Sequence, residues 1–225
     1  MRVKAETRII DLSHEIRDGM VTYPGLPAPR LTAHLSHDDR VDSYAVGTTF
    51  HIGRLDMVGN TGTYVDVPFH RFPRGDDLAL FPLDRLVDLP GVVIRHDISG
   101  GPRIGIADLA GTGVRDRAVL IHTGWSNRWG TEAYFGDHPW LSEEAASWLV
   151  SEGATLVGID SLNIDSRSDP RRPVHTTLLG AGIAIVEHLA GLDQLIGREF
   201  RLFVAPAKVR GMGSFPVRVF AIANA

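Results

Sequence analysis

Between Trp140 and Gly153 the chain carries a self-contained helix signal, followed at once by an uninterrupted apolar run. Ser142 is placed to cap the helix, Glu143 and Glu144 stand at its positive end, Ala145, Trp148 and Leu149 make one apolar stripe, and Gly153 ends it. Thr155-Leu156-Val157-Gly158-Ile159-Asp160 then reads as a short strand without polar alternation, the pattern of a strand buried on both faces. Val92-Val93-Ile94, Ala118-Val119-Leu120-Ile121 and Ile183-Ala184-Ile185-Val186 repeat that pattern. A helix alternating with such strands needs a sheet covered on at least part of both faces, so the residues predict an α/β fold.

The remaining segments fit around this sheet. Arg8 to Leu12 predicts an opening strand, and Tyr23-Pro24-Gly25 a turn that leaves Tyr23 on a loop. Leu31 to His37 alternates apolar and polar residues as a half-buried strand does, and Tyr44 to Met57 continues in β-prone residues with Phe50, Ile52 and Leu55 expected inward. Val174 to Gly180 predicts one or two helical turns, and Phe200 to Val204 with Val217 to Ile222 are expected to close the sheet. No linker, composition shift or repeat divides the 225 residues, so residues 1–225 are expected to form one domain.

Several classes of function are disfavoured. A formal net charge of -4, with no basic run longer than Arg171-Arg172, offers no footprint for nucleic acid or an anionic membrane. No apolar run reaches the ~18 residues of a membrane span, and Met1 to Ile10 holds Arg2, Lys4, Glu6 and Arg8 where a signal peptide needs apolar residues. The expectation is a cytoplasmic protein acting on a small molecule. Phosphate loops, dinucleotide fingerprints and the G-x-S-x-G elbow are all missing. With no cysteine in the chain, any metal must be held by His, Asp, Glu or amide groups.

Chemistry-bearing residues concentrate in Gly59-Asn60-Thr61-Gly62-Thr63-Tyr64-Val65-Asp66-Val67-Pro68-Phe69-His70. Thr63 to Val67 reads as a strand ended by Pro68, which puts Tyr64 and Asp66 on one face. Asp is depleted in strands, so Asp66 calls for a partner: a bound group, or backbone at a turn. Singly, His70, His175 and Glu187 each have ordinary structural readings as a solvated histidine, a helix cap and a salt-bridge partner. Together, one Asp, two His and one Glu at separate strand ends make a hard or borderline metal set. Trp125, Trp129, Phe135 and Tyr23 suggest an aromatic-lined pocket or simple packing.

The run from Asn60 to His70 resembles the H-x-G-T-H-x-D-x-P-x-H signature of the cyclase family that includes bacterial kynurenine formamidase and isatin hydrolase. The resemblance extends over Asp11-Leu12-Ser13-His14, Tyr23-Pro24-Gly25, His122-Thr123-Gly124-Trp125, Gly158 to Ser161, Pro173-Val174-His175 and Gly180-Ala181-Gly182 to Glu187. It implies a swivelling β/β/α-type domain with a central mixed sheet, assembled as a homodimer or higher homo-oligomer. It further implies a divalent metal, zinc or manganese, that serves hydrolysis of amide or lactam bonds. By position, Asp66, His175 and Glu187 match metal ligands and His70 the acid/base.

The two early motif histidines are replaced by Asn60 and Tyr64. An Asn carbonyl is a poor zinc ligand, and a phenol with a pKa near 10 binds only when deprotonated. The expectation is therefore one metal rather than two, with Asn60, Tyr64 and Tyr23 contacting substrate. A metal-free cyclase, dehydratase or isomerase using His70 with a carboxylate, and a lapsed enzyme that only binds small molecules, remain as alternatives.

Overall fold

The computed structural model describes residues 7–224; the polar residues Arg2, Lys4 and Glu6, on which the signal-peptide reading drew, lie outside them. Among the described residues thirteen strands alternate with three α-helices. Strands β1 (Thr7–Asp11), β2 (Arg30–Leu35), β3 (Ile52–Asp56) and β4 (Tyr64–Asp66) open the chain. Then come β5 (Leu89–Arg95), β6 (Arg103–Ile104), α1 (Ile106–Leu109), β7 (Ala118–His122), β8 (Trp140–Leu141), α2 (Glu143–Glu152) and β9 (Leu156–Ile159). The last elements are α3 (Pro173–Gly180), β10 (Ala184–Glu187), β11 (Phe200–Phe203), β12 (Ser214–Pro216) and β13 (Phe220–Asn224). Among the described residues, no helix is long and apolar enough to cross a membrane.

Nine strands form one mixed sheet in the order β1-β13-β11-β5-β7-β9-β10-β4-β12. Its centre, β5-β7-β9-β10, is parallel, and antiparallel strands flank it on both sides. Successive side chains of the central strands feed two separate cores, as the two-residue period of a strand requires. Ala118 and Leu120 of β7 enter one core and Val119 and Ile121 the other. Helices α2 and α3 cover the second core through Ala145, Ala146, Leu149, Val174, Leu178 and Leu179. Helix α2 starts at Ser142, whose hydroxyl accepts from the Ala145 amide, and ends at left-handed Gly153. That cap contributes about 1 kcal/mol.

Strands β12 and β13 stand far apart in the strand order, yet only residues 217–219 separate them. Val217 donates to Thr63 O and Val219 to Ser13 Oγ, so this bridge spans from the β4 side to the β1 side. The sheet is therefore curled, with its two margins brought together by the chain. This corrects the expectation of one strand over Val217–Ile222: the segment is a crossing followed by a separate strand.

A second correction concerns β2 and β3. They pair only with each other, and every residue of both is exposed except Leu35, which is partly so. Leu31 and Leu55 face each other across the pair at 44% and 49% exposure, and Phe50 and Ile52 are exposed as well. Alternation signals an amphipathic strand without saying what covers its apolar side, and among the described residues Leu31 and Leu55 stay largely uncovered.

Candidate active site

The site forms where β4, β10 and β12 lie side by side at one margin of the sheet. Register pairs Asp66 with Ile185 on one side and Ser214 on the other, and Tyr64 with Glu187 and Pro216. Asp66, Tyr64, Glu187, His175 and Ser214 are all buried. The short 3₁₀ turn Pro68–His70 carries His70 back over the end of β4, as expected for a Pro that ends a strand. Gly213 makes this return feasible, because a methyl at its Cα would collide with the backbone of His70.

Asp66 is the hub. Its Oδ1 accepts the Ser214 hydroxyl and, at 3.5 Å, the Asn60 amide, and lies 3.6 Å from His70 Nδ1. Its Oδ2 is fully buried and has no hydrogen-bond partner. That oxygen faces His175 Nε2 at 3.6 Å, which in turn lies 3.7 Å from Glu187 Oε1. Asp66, His70 and His175 also offer ligand atoms within 4.8 Å of one another.

His175 is held from behind by Asp165. Its Nδ1 lies 2.6 Å from Asp165 Oδ2, and the same carboxylate accepts the backbone amides of Val174 and His175 at 2.8 and 3.0 Å. Asp165 thus caps the first turn of α3 and turns His175 Nε2 toward Asp66 and Glu187. This arrangement, an imidazole donating backward to a carboxylate while its other nitrogen faces a cluster of oxygens, is that of a metal-ligating histidine. Burial opposes a charge on His175, but the hydrogen bond to Asp165 and the nearby carboxylates of Asp66 and Glu187 outweigh it and raise its pKa to about 10.

Glu187 Oε1 accepts the Ile164 amide at 2.6 Å, and its other oxygen accepts the Tyr64 hydroxyl. Burial raises Glu187 to about 7, with the charge of Asp66 adding to it and His175, Tyr64 and the Ile164 amide opposing. Burial, then the charges of Glu187 and Asp66, holds the Tyr64 phenol protonated and well above its ordinary pKa. Tyr64 is therefore a donor whose single O–H is engaged by Glu187.

The set fits a divalent cation. Two ligands on ~2.1 Å bonds at a tetrahedral angle stand about 3.4 Å apart, close to the 3.6 Å between Asp66 Oδ2 and His175 Nε2 and the 3.7 Å between His175 Nε2 and Glu187 Oε1, while the three residues whose ligand atoms all approach one another are Asp66, His70 and His175. A buried carboxylate oxygen without a donor is costly unless a positive group occupies its face. Asn60, half-buried, adds one amide beside the cluster. A cation binding here displaces the proton of His175, so the apparent affinity is expected to fall about tenfold per pH unit as pH drops from about 9 to 7. Below about 7 the fall steepens as Glu187 takes up a second proton. Titration calorimetry with Mn²⁺ at a series of pH values measures both slopes.

Tyr23 packs with Trp125, Trp129, Tyr134, Phe135 and Leu162. This aromatic group reaches the site through His188, whose Nδ1 lies 3.0 Å from the Tyr134 hydroxyl and whose ring lies 5.2 Å from that of Tyr64. Burial keeps His188 neutral, with a pKa lowered to about 3. Asp165, Ser214 and His188 were not among the residues singled out from sequence. Asp165 meets His175 only once the loop after β9 has packed against α3, and Ser214, 148 residues from Asp66, carries no local signal at all.

A curled mixed sheet whose margin gathers Asp66, His70 and His175 within reach of a single cation defines an α/β protein with a candidate metal site. The chain belongs to the putative cyclase family, whose model matches residues 10–166. It is 28% identical over 211 residues to a kynurenine formamidase of Geobacillus thermodenitrificans, covering 93% of this chain and 94% of that one. It is also similar to isatin hydrolase A from Labrenzia aggregata, at a TM-score of 0.84 and 25% identity, over 97% of this chain and 94% of that chain. A structure described as a potential metal-dependent hydrolase with cyclase activity superposes with a TM-score of 0.77 at 27% identity, over 98% and 100% of the two chains.

Proposed function

We propose that the chain is a hydrolase of a carbon–nitrogen bond in a small amide, formamide or lactam, with a divalent cation held by Asp66, His175 and Glu187 and His70 as the acid/base. The observation that carries this reading is the partnerless, fully buried Asp66 Oδ2 facing His175 Nε2. The family and the activities named for its relatives support it. Zinc and manganese both suit one imidazole with two carboxylates. When bound, the cation supplies Lewis acidity toward water and toward the amide carbonyl.

The chain's own residues do the rest. His70, with its side chain one-third exposed, takes a proton from the attacking water and returns it to the departing nitrogen. Asn60 has a second amide hydrogen to offer a carbonyl oxygen. Tyr64 keeps Glu187 oriented by donating to it, and the Tyr23 cluster borders the space on the aromatic side. Turnover of formanilide and N-formylkynurenine by chelator-stripped protein, before and after reloading with Zn²⁺ or Mn²⁺, tests the reading. Turnover that follows cation occupancy and vanishes in His70→Ala is expected. Undiminished turnover in stripped protein, or none at full occupancy, would overturn it.

The reading extends to assembly. A two-stranded hairpin with exposed apolar side chains is barely stable in water by itself, and Leu31 and Leu55 suit a second copy of the chain. Light scattering is expected to give an oligomer for the native chain and a smaller species for Leu31→Glu with Leu55→Glu.

A further inference from the structure

Ser214 lies directly opposite Asp66 in the β12–β4 pair, so the two side chains share one face of the sheet. It is 5% exposed, and its hydroxyl contacts both Asp66 Oδ1 and, at 2.7 Å, His70 Nδ1. A hydroxyl has one hydrogen, and an ionised carboxylate can only accept. The Ser214 hydrogen therefore goes to Asp66, and the contact with His70 forms only if Nδ1 carries a hydrogen and donates it to Ser214 Oγ. The proton direction in this chain of three groups is dictated from the carboxylate outward.

From this we infer that Ser214 is a positioning residue that locks His70 in its Nδ1–H form and leaves the lone pair on Nε2 as the site's base. The inference rests on the acid/base role proposed for His70. During turnover the water proton passes to Nε2 and then to the departing nitrogen, while Ser214 and Nδ1 each keep their own hydrogen.

A nucleophilic serine would need the reverse arrangement. In a serine triad the acid holds the imidazole nitrogen distant from the hydroxyl, and the imidazole accepts the hydroxyl proton. Here Asp66 approaches the same nitrogen, Nδ1, that meets Ser214. Asp66 takes the hydroxyl hydrogen itself, so the serine is not activated.

Long-range ¹H–¹⁵N correlation NMR reads histidine tautomers directly, and His70→Gln assigns the His70 signals by their loss. The native protein is expected to show His70 with hydrogen on Nδ1, and Ser214→Ala to lose that preference. On formanilide at saturating cation, Ser214→Ala is expected to lower kcat about 10- to 100-fold with KM within about twofold, and Ser214→Thr, which keeps the hydroxyl, to recover most of it. Hydrogen on Nε2 in the native protein overturns the proposal whatever the variants do, as does an unchanged tautomer and kcat in Ser214→Ala. A tautomer switch in Ser214→Ala without amide turnover by the native protein upholds the positioning and rejects the hydrolase reading. Native turnover with no effect of Ser214→Ala does the opposite.

Discussion

In Asp66→Asn, kcat/KM for a small amide is expected to fall by about 10³-fold or more, about 4 kcal/mol of transition-state stabilisation. The substitution keeps the volume of a fully buried side chain, removes its charge and, with the amide oxygen facing His175, turns the oxygen that meets Ser214 into a donor NH2 group. It strikes three partners at once. The oxygen facing His175 Nε2 loses its anionic character, which removes one of three proposed cation ligands. Ser214 loses the acceptor that orients its hydroxyl, and with it the ordering of His70. Calorimetric titration with Mn²⁺ beside initial rates measures the loss. The accompanying thermal signature is a cation-induced rise in Tm in the native protein that disappears in the variant, since a ligand stabilises only the state it binds.

Asp165→Asn is expected to weaken cation binding about 10- to 100-fold while leaving every proposed ligand in place. Asp165 receives three hydrogen bonds from α3, two from backbone amides and one from His175 Nδ1. An amide side chain can accept fewer of them, and whichever end faces His175 weakens the drive for Nδ1 to be the donor. If Nδ1 becomes the acceptor, Nε2 carries the hydrogen and cannot ligate. Charge-assisted hydrogen bonds contribute roughly 1.5–3 kcal/mol each, so denaturant unfolding of the cation-free variant should show a loss of about 2 kcal/mol or more. A variant with native cation affinity would detach Asp165 from the site.

Local chemistry made much of the architecture legible before any coordinates. Ser142 and Gly153 bracket α2 because capping depends on a handful of adjacent residues, and the unbroken apolar runs of β7 and β9 mark strands that feed two cores. The pairing of Tyr64 and Asp66 on one face followed from a two-residue period alone. Hairpin β2–β3 was misjudged because periodicity shows that a strand has an apolar side and is silent about what lies against it. The contacts of Ser214 and Asp165 escaped notice for a different reason: each exists only after strands or loops remote in sequence have met. His188 was hidden by its neighbour, since Glu187 drew the attention as a candidate ligand, whereas His188 turns away to Tyr134.

The strand order also governs when the site can come into being. Asp66 waits for a partner strand 119 positions later in β10, through Ile185, and for β12, where Ser214 lies 148 positions away. Contacts of such long range are the slow ones in folding, because loop closure must be achieved before they contribute anything. During synthesis the carboxylate of Asp66 and the ring of His70 therefore remain without their final neighbours until the segment carrying β12 has joined the margin of the sheet. Cation uptake through the proposed ligands of β4, α3 and β10 would then report that the distal half of the chain has closed over the proximal one, and stopped-flow measurement of that uptake would time the last stage of folding.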